Sequence, residues 1–237
     1  MSLQEIQKMV RQGEGERIEF KRKVAHPDKI IREIVAFANT KGGHLLIGVD
    51  DNGTIPGIKF AEEDIYVLDK AIRQWCRPKI DYEIEIVPLS DKKSVVHYKI
   101  LESERKPHYV LNEVAPNPAT FNNSSNKLSK SKPKKPKGHT PRGKAYVRSE
   151  DKSLQASREV WQILRRGRHS KDIKFTFGDR EKRLMEYLEE HQKITVTQFA
   201  TLVSLSRYHA SRTLILLVLG SVLRVIPQEK EDVFVLK

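Results

Sequence analysis

Apolar positions along the chain follow two rhythms, and the switch between them predicts the elements. Leu3, Ile6, Met9 and Val10 share one helical face, opened by a Ser2/Glu5 capping box and stopped at Gly13. Residues 17–24 alternate, with Ile18 and Phe20 on one side and Glu19 on the other, as a strand does. After Pro27-Asp28, helical spacing returns in Ile30, Ile31, Ile34, Val35 and Ala38, and Gly42-Gly43 ends that helix. The apolar run 44–49 reads as a short buried strand, turned sharply by Asp50-Asp51-Asn52-Gly53. An extended piece at 54–58 precedes a helix over 62–76, with Ile65, Leu68, Ala71, Ile72 and Trp75 facing inward. Segments 81–88 and 94–101 alternate as strands, and 106–110 reads as a short edge strand because Pro107 cannot donate to a ladder.

Later, residues 145–148 read as a strand and 157–166 as a helix with Val160, Trp161 and Leu164 inward. From Arg180 the pattern changes. A helix over 181–191, a second carrying Phe199, Ala200, Leu202 and Val203, and a third over 207–219 follow closely. Segments 223–226 and 232–236 then pair as a hairpin. Three helices and a hairpin in that order resemble a winged helix-turn-helix. The run 214–219 is apolar nearly all round, which calls for a buried contact with the first domain or a second subunit. The expected architecture is α+β: a mixed sheet with helices over 1–166, a basic linker over 167–179, and a small winged-helix domain over 180–237.

Charge sharpens this picture. Of 237 residues, 44 are Lys or Arg and 31 Asp or Glu, a net +13 that favours a polyanionic partner, DNA or RNA. The excess is uneven: between Val114 and Ser149 lie nine Lys or Arg and no acid. Residues 115–142 have the composition of a disordered insertion, and Lys132, Lys134, Lys135, Lys137 and Arg142 in it are candidates for phosphate contacts. The single cysteine, Cys76, excludes an internal disulfide or a cysteine-ligated zinc and reads as packing on an apolar helix face. No stretch is long and apolar enough to span a bilayer, and no signal peptide opens the chain, so a cytoplasmic protein without membrane contact is expected.

Four short pieces then point to a family. They are E-x4-E-F-K (residues 14–21), A-N-T-x-G-G ending at Gly43, I-G-V-D-D-x-G ending at Gly53, and K-P-H-Y ending at Tyr109. In this order they resemble the AlbA-like domain of the Schlafen family and its bacterial relatives, over roughly residues 10–150. Schlafen-type ribonucleases use an acidic triad. Carried over by position, the resemblance implies Glu14, Glu19 and Asp51, with Asp50 as the alternative, as a catalytic set holding Mg²⁺ or Mn²⁺. Lys21 and Lys41 would face the nucleic acid. The same residues also read more simply: Glu19 pairing with Lys21 or Arg17 on a solvated strand face, and Asp50 and Asp51 as turn residues. Residues 138–145, GHTPRGKA, nearly spell a phosphate-binding loop. They lack the Ser or Thr after Lys144 and a following helix, so ATP is not supported. His44 and His108 read as lone structural histidines.

In the third C-terminal helix, Arg207, Tyr208 and Arg212 occupy the turns that enter a major groove in a winged helix-turn-helix. The expected function is nucleic-acid binding by a DNA-binding transcriptional regulator. One alternative is a metal-dependent endoribonuclease acting on structured RNA of the tRNA or rRNA kind; another is a protein-interaction module. Full-length Schlafens resemble two AlbA-like lobes in one chain, and this chain carries one, so a homodimer is expected.

Overall fold

The structure, a computed structural model, describes residues 1–111, 143–167 and 177–237. The basic insertion with Lys132, Lys134, Lys135, Lys137 and Arg142, and most of the linker, lie outside the described residues.

A four-stranded mixed sheet, ordered β1-β2-β5-β4, carries the first part of the chain. Its strands are β1 (Ile18–Lys21), β2 (Gly43–Ile47), β4 (Tyr82–Ser90) and β5 (Lys93–Ile100). β1 and β2 run parallel, joined by helix α2 (Pro27–Asn39); the other pairs are antiparallel. Period-two side chains divide the apolar residues between the two faces. Ile18, Phe20, Leu46, Val87 and Val95 pack with Ile6 of helix α1 (Leu3–Gln12). Leu45, Ile47, Val96, Tyr98 and Ile100 pack with α2 and helix α3 (Ala61–Trp75) on the opposite face. Each fully buried Leu, Ile or Phe there stabilises the fold by roughly 1.5–3 kcal/mol. The Ser2/Glu5 capping box and the Gly13 stop form as expected.

The glycine turn after α2 has a steric cause. Gly42 has φ +71°, in the left-handed region. A Cβ on Gly43 would stand 2.3 Å from the Phe37 ring, so only glycine lets the chain turn tightly from α2 into β2.

Several expectations need correction. The strand expected at the edge over 106–110 is β6 (Tyr109–Leu111), the middle strand between β3 (Cys76–Arg77) and β7 (Gly143–Lys144). Pro107 lies before it, outside the ladder. Cys76 is not on the helix; it starts β3 directly after α3 and is buried, which pushes its thiol up to about 12. The strand expected over 145–148 forms, outside the main sheet. It is β8 (Tyr146–Ser149), paired with a strand the sequence pattern did not suggest, β9 (Lys152–Gln155), and the hairpin lies on α2.

The C-terminal part is built from α5 (Asp179–His191), α6 (Val196–Leu202), α7 (Arg207–Leu219), β10 (Leu223–Ile226) and β11 (Val233–Leu236), with Ile194 bridged to Phe234. Its core comprises Leu184, Leu188, Phe199, Leu214, Leu217 and Phe234. Helix α4 (Arg158–Gly167) packs on α7, and Ser211 donates to Glu159 Oε1 at 2.6 Å. The apolar half of α7 buries Leu214, Ile215, Leu217 and Leu219, and Ile163 of α4 packs against the same core. Three further links tie this part to the first: Ser149 Oγ to Pro227 O (2.9 Å), Lys152 to Glu229 (2.7 Å), and Ser157 to Asp232.

Candidate nucleic-acid interface

The acidic residues around β1 converge, but on an arginine. Glu19 points to the sheet face covered by α2 and the β8–β9 hairpin, so it is 6% exposed rather than solvated. Arg148, on β8, is buried beside it and donates from Nη1 to Glu19 Oε2 (2.9 Å), Glu33 Oε2 (2.8 Å) and Ser153 Oγ (3.2 Å). Its Nη2 donates to Gly15 O at 2.5 Å, and its guanidinium lies 4.9 Å from the Phe37 ring centroid. Lys21 takes the other Glu19 oxygen. Two cations therefore face two carboxylates, and both oxygens of Glu19 are engaged. Ser153 also donates to Glu33. Burial, helped by the Glu19 charge, raises the Glu33 carboxyl above its ordinary range.

Glu14 stands beside this cluster. Its Oε1 accepts the Phe20 amide at 2.8 Å. Its carboxyl is raised, chiefly by burial, with Glu19 and Asp51 adding to the rise and Lys21 opposing it. Glu14 thus feels the charges of both Glu19 and Asp51. Asp51 lies exposed in the turn; Asp50 accepts from Thr54 Oγ1 (3.1 Å) and pairs loosely with Arg22 (3.6 Å). Among the described residues no three His, Cys, Asp or Glu are arranged to hold a metal ion. A cation needs free carboxylate oxygens, and those of Glu19 belong to Arg148 and Lys21. The residues as arranged do not fit Mg²⁺ or Mn²⁺. Spacing along the sequence could not reveal this, because Arg148 lies 129 residues from Glu19.

Two other family pieces meet in the same way. Asn39 is buried; its Nδ2 donates to His108 O (2.9 Å) and Tyr146 O (2.8 Å), and its Oδ1 accepts the His108 amide (2.7 Å). One side chain therefore pins the K-P-H-Y piece and β8 to the end of α2. His44 is not lone. Its Nδ1 lies 2.9 Å from His97 Nε2 across β2 and β5, with the rings stacked at 5.1 Å. Burial and the neighbouring His44 push His97 down to about 4, against the pull of Glu85.

Exposed positive charge lies elsewhere. Lys41 pairs with Glu16 at 3.0 Å on the rim of a cavity of about 670 Å³ between the two parts. Lys106 and Arg224 line the same cavity. At the start of α7, Arg207, Tyr208, His209 and Arg212 are all exposed. Ser206 caps this helix, accepting the His209 amide at 3.4 Å. Arg207 donates to Thr197 Oγ1 (2.8 Å) and faces Glu231 (3.4 Å). Arg158 of α4 reaches over the Tyr208 ring at 5.6 Å. Arg212 has no partner among the described residues. Sequence reasoning missed Arg158, whose place beside Tyr208 follows only from α4 packing on α7.

Among curated proteins, none matches the chain. Two solved structures are similar over part of the chain. One is the N-terminal domain of a RecG-related protein from Nitrosomonas europaea, 20% identical, TM-score 0.41, covering 59% of this chain and 96% of that one. The other is a protein from Corynebacterium diphtheriae, 18% identical, TM-score 0.40, covering 64% of this chain and 27% of that one. No helix among the described residues is long and apolar enough to cross a membrane. A family model described as Schlafen, AlbA_2 matches residues 14–157, which carry the Arg148-centred cluster and the Asn39 junction. The chain belongs to the Schlafen, AlbA_2 family, a nucleic-acid-related domain family.

Proposed function

We propose that this protein binds duplex DNA through the first turns of α7, in a winged helix-turn-helix, and acts as a transcriptional regulator without cutting its target. The observation that carries this reading is the exposed group of Arg207, Tyr208 and Arg212 on one end of α7, whose other end is buried, with Arg158 of α4 beside Tyr208. Buried packing fixes the helix; the exposed end presents guanidinium groups, which read guanine O6 and N7 in a major groove. The Arg207–Glu231 pair is exposed and weak, worth about 0–1 kcal/mol, so a phosphate or base edge can replace the carboxylate. The division into a first domain and a C-terminal unit is part of this proposal, with α4 as the joining helix. So is pairing of two copies, each contributing one reading helix to a two-fold site. The nuclease alternative needs Glu19 as a free ligand, and its engagement with Arg148 favours binding over cleavage.

The test is fluorescence anisotropy with labelled DNA and RNA duplexes across a salt series, with the native chain and Arg212→Ala. We expect preference for one DNA sequence, and a loss of about 1–3 kcal/mol at that site in the variant. Equal losses on all duplexes would reduce Arg212 to a phosphate contact, and no loss would leave the interaction-module reading standing.

A further inference from the structure

Helix α3 buries Leu68, Ala71 and Ile72, and leaves its outer face uncovered. On that face Glu62, Tyr66, Asp69, Lys70, Arg73 and Gln74 border a shallow groove of about 630 Å³ together with Ile65. Tyr66 is 66% exposed and Val67 41%. Among the described residues, the side chains of Glu62, Tyr66 and Lys70 form no hydrogen bond or ion pair. The charge along the helix is polarised: Glu62, Glu63 and Asp64 fill its first turn, and Lys70 and Arg73 lie in its second half, followed by Arg77 and Lys79. Isolated phosphate would be repelled by the first half of this face, which argues against a nucleic-acid surface.

We infer that α3 is the face through which two copies of the chain pair, antiparallel about a two-fold axis near Tyr66. This inference rests on the pairing proposed above and names its surface. The polarity selects the occupant. A two-fold contact brings the same patch of both copies together with residue order reversed. Antiparallel α3 helices then set Glu62 of each copy against Lys70 of the other, twice over, with the Tyr66 rings between them, while Arg73 pairs with Asp69 of its own helix at 2.7 Å. Parallel helices would set like against like. A stable interface hides about 800 Å² on each partner, more than one helix face supplies. A second groove adjoins this face and would add to the contact. It shares Asp69 and Arg73 with the first and runs past Tyr82 and Ile84 of the edge strand β4 to Leu101.

Sedimentation equilibrium on the full chain tests this, with Glu62→Lys, Lys70→Glu and the two combined, each checked for native circular dichroism. We expect the native chain to dimerise in the micromolar range, each single variant to weaken dimerisation at least tenfold, and the double variant to recover it. Two outcomes overturn the surface while leaving pairing intact: a dimer indifferent to either single change, or a double variant no better than the singles. A native chain that stays monomeric at every concentration, with and without DNA, overturns the pairing itself. Loss of DNA affinity in Lys70→Glu with self-association unchanged would make the face a nucleic-acid contact and overturn the inference as well.

Discussion

The Arg148 cluster and the start of α7 are both rich in charge, and they differ in where the charge goes. Around Arg148 the charges meet inside the fold: Arg148 pairs with Glu19 and Glu33, Lys21 pairs with Glu19, and Ser153 bridges Arg148 and Glu33. At α7 the guanidinium groups of Arg158, Arg207 and Arg212 reach solvent. A buried charge without a partner is costly, so the first arrangement fixes the fold; an exposed one can exchange water for a phosphate or a base edge. The residues by which the family is recognised, Glu19, Asn39 and Gly43, are on the structural side of that comparison. The residues proposed to bind DNA lie outside the family match.

The largest effect should come from Arg148→Ala. It leaves Glu19 buried and Glu33 half-buried beside a single remaining cation, and breaking such a pair costs about 3–5 kcal/mol. Urea unfolding should show a loss of that size with little change in DNA affinity per folded molecule. Glu19→Gln keeps the shape and one hydrogen bond, so a smaller loss, about 1–3 kcal/mol, is expected. A Glu19→Gln variant as stable as the native chain, yet deficient in a metal-dependent cleavage that the native chain performs, would reverse the comparison at that site.

The contrast also explains what could be read from the sequence. Helix α7 was legible residue by residue, because Ser206 caps it, Gly220 follows it and its apolar run is long. The α2–β2 turn was legible because Gly43 is required sterically by Phe37. The role of Glu19 was not. A strand of four residues tells which face a side chain points to, and says nothing of what covers that face; here α2 and β8 do. His44 looked lone for the same reason: its partner sits 53 residues away on β5. β9 was missed because Lys152–Gln155 is short, half-exposed and without a clear alternation of apolar residues.

Next in size, loss of a base-contacting arginine on α7 should remove about 1–3 kcal/mol from specific binding. pH should separate the two parts as well. His97 sits near 4 in the folded chain and near 6.5 when unfolded, so the unfolded chain takes up its proton first as pH falls. Stability from this group is complete above about pH 6.5 and is lost as pH drops toward 4. In His97→Gln, urea unfolding between pH 7.5 and 4.5 should show a shallower acid loss than in the native chain; parallel curves would mean the histidine pair does not couple to folding. The smallest effect belongs to the lysines of residues 130–144. Deleting them should weaken binding to all duplexes alike and flatten the slope of log affinity against log salt, without changing sequence preference. An unchanged slope would remove them from the interface.

The most direct test puts both regions through one assay. Anisotropy titrations of a specific DNA duplex at fixed salt would compare Arg207→Ala/Arg212→Ala with Glu19→Gln, each corrected for its folded fraction. The account predicts that the arginine variant binds at least tenfold more weakly while its unfolding midpoint is unchanged, and that the glutamate variant binds as the native chain does. Native affinity in the arginine variant, or loss of binding confined to the glutamate variant, would contradict it.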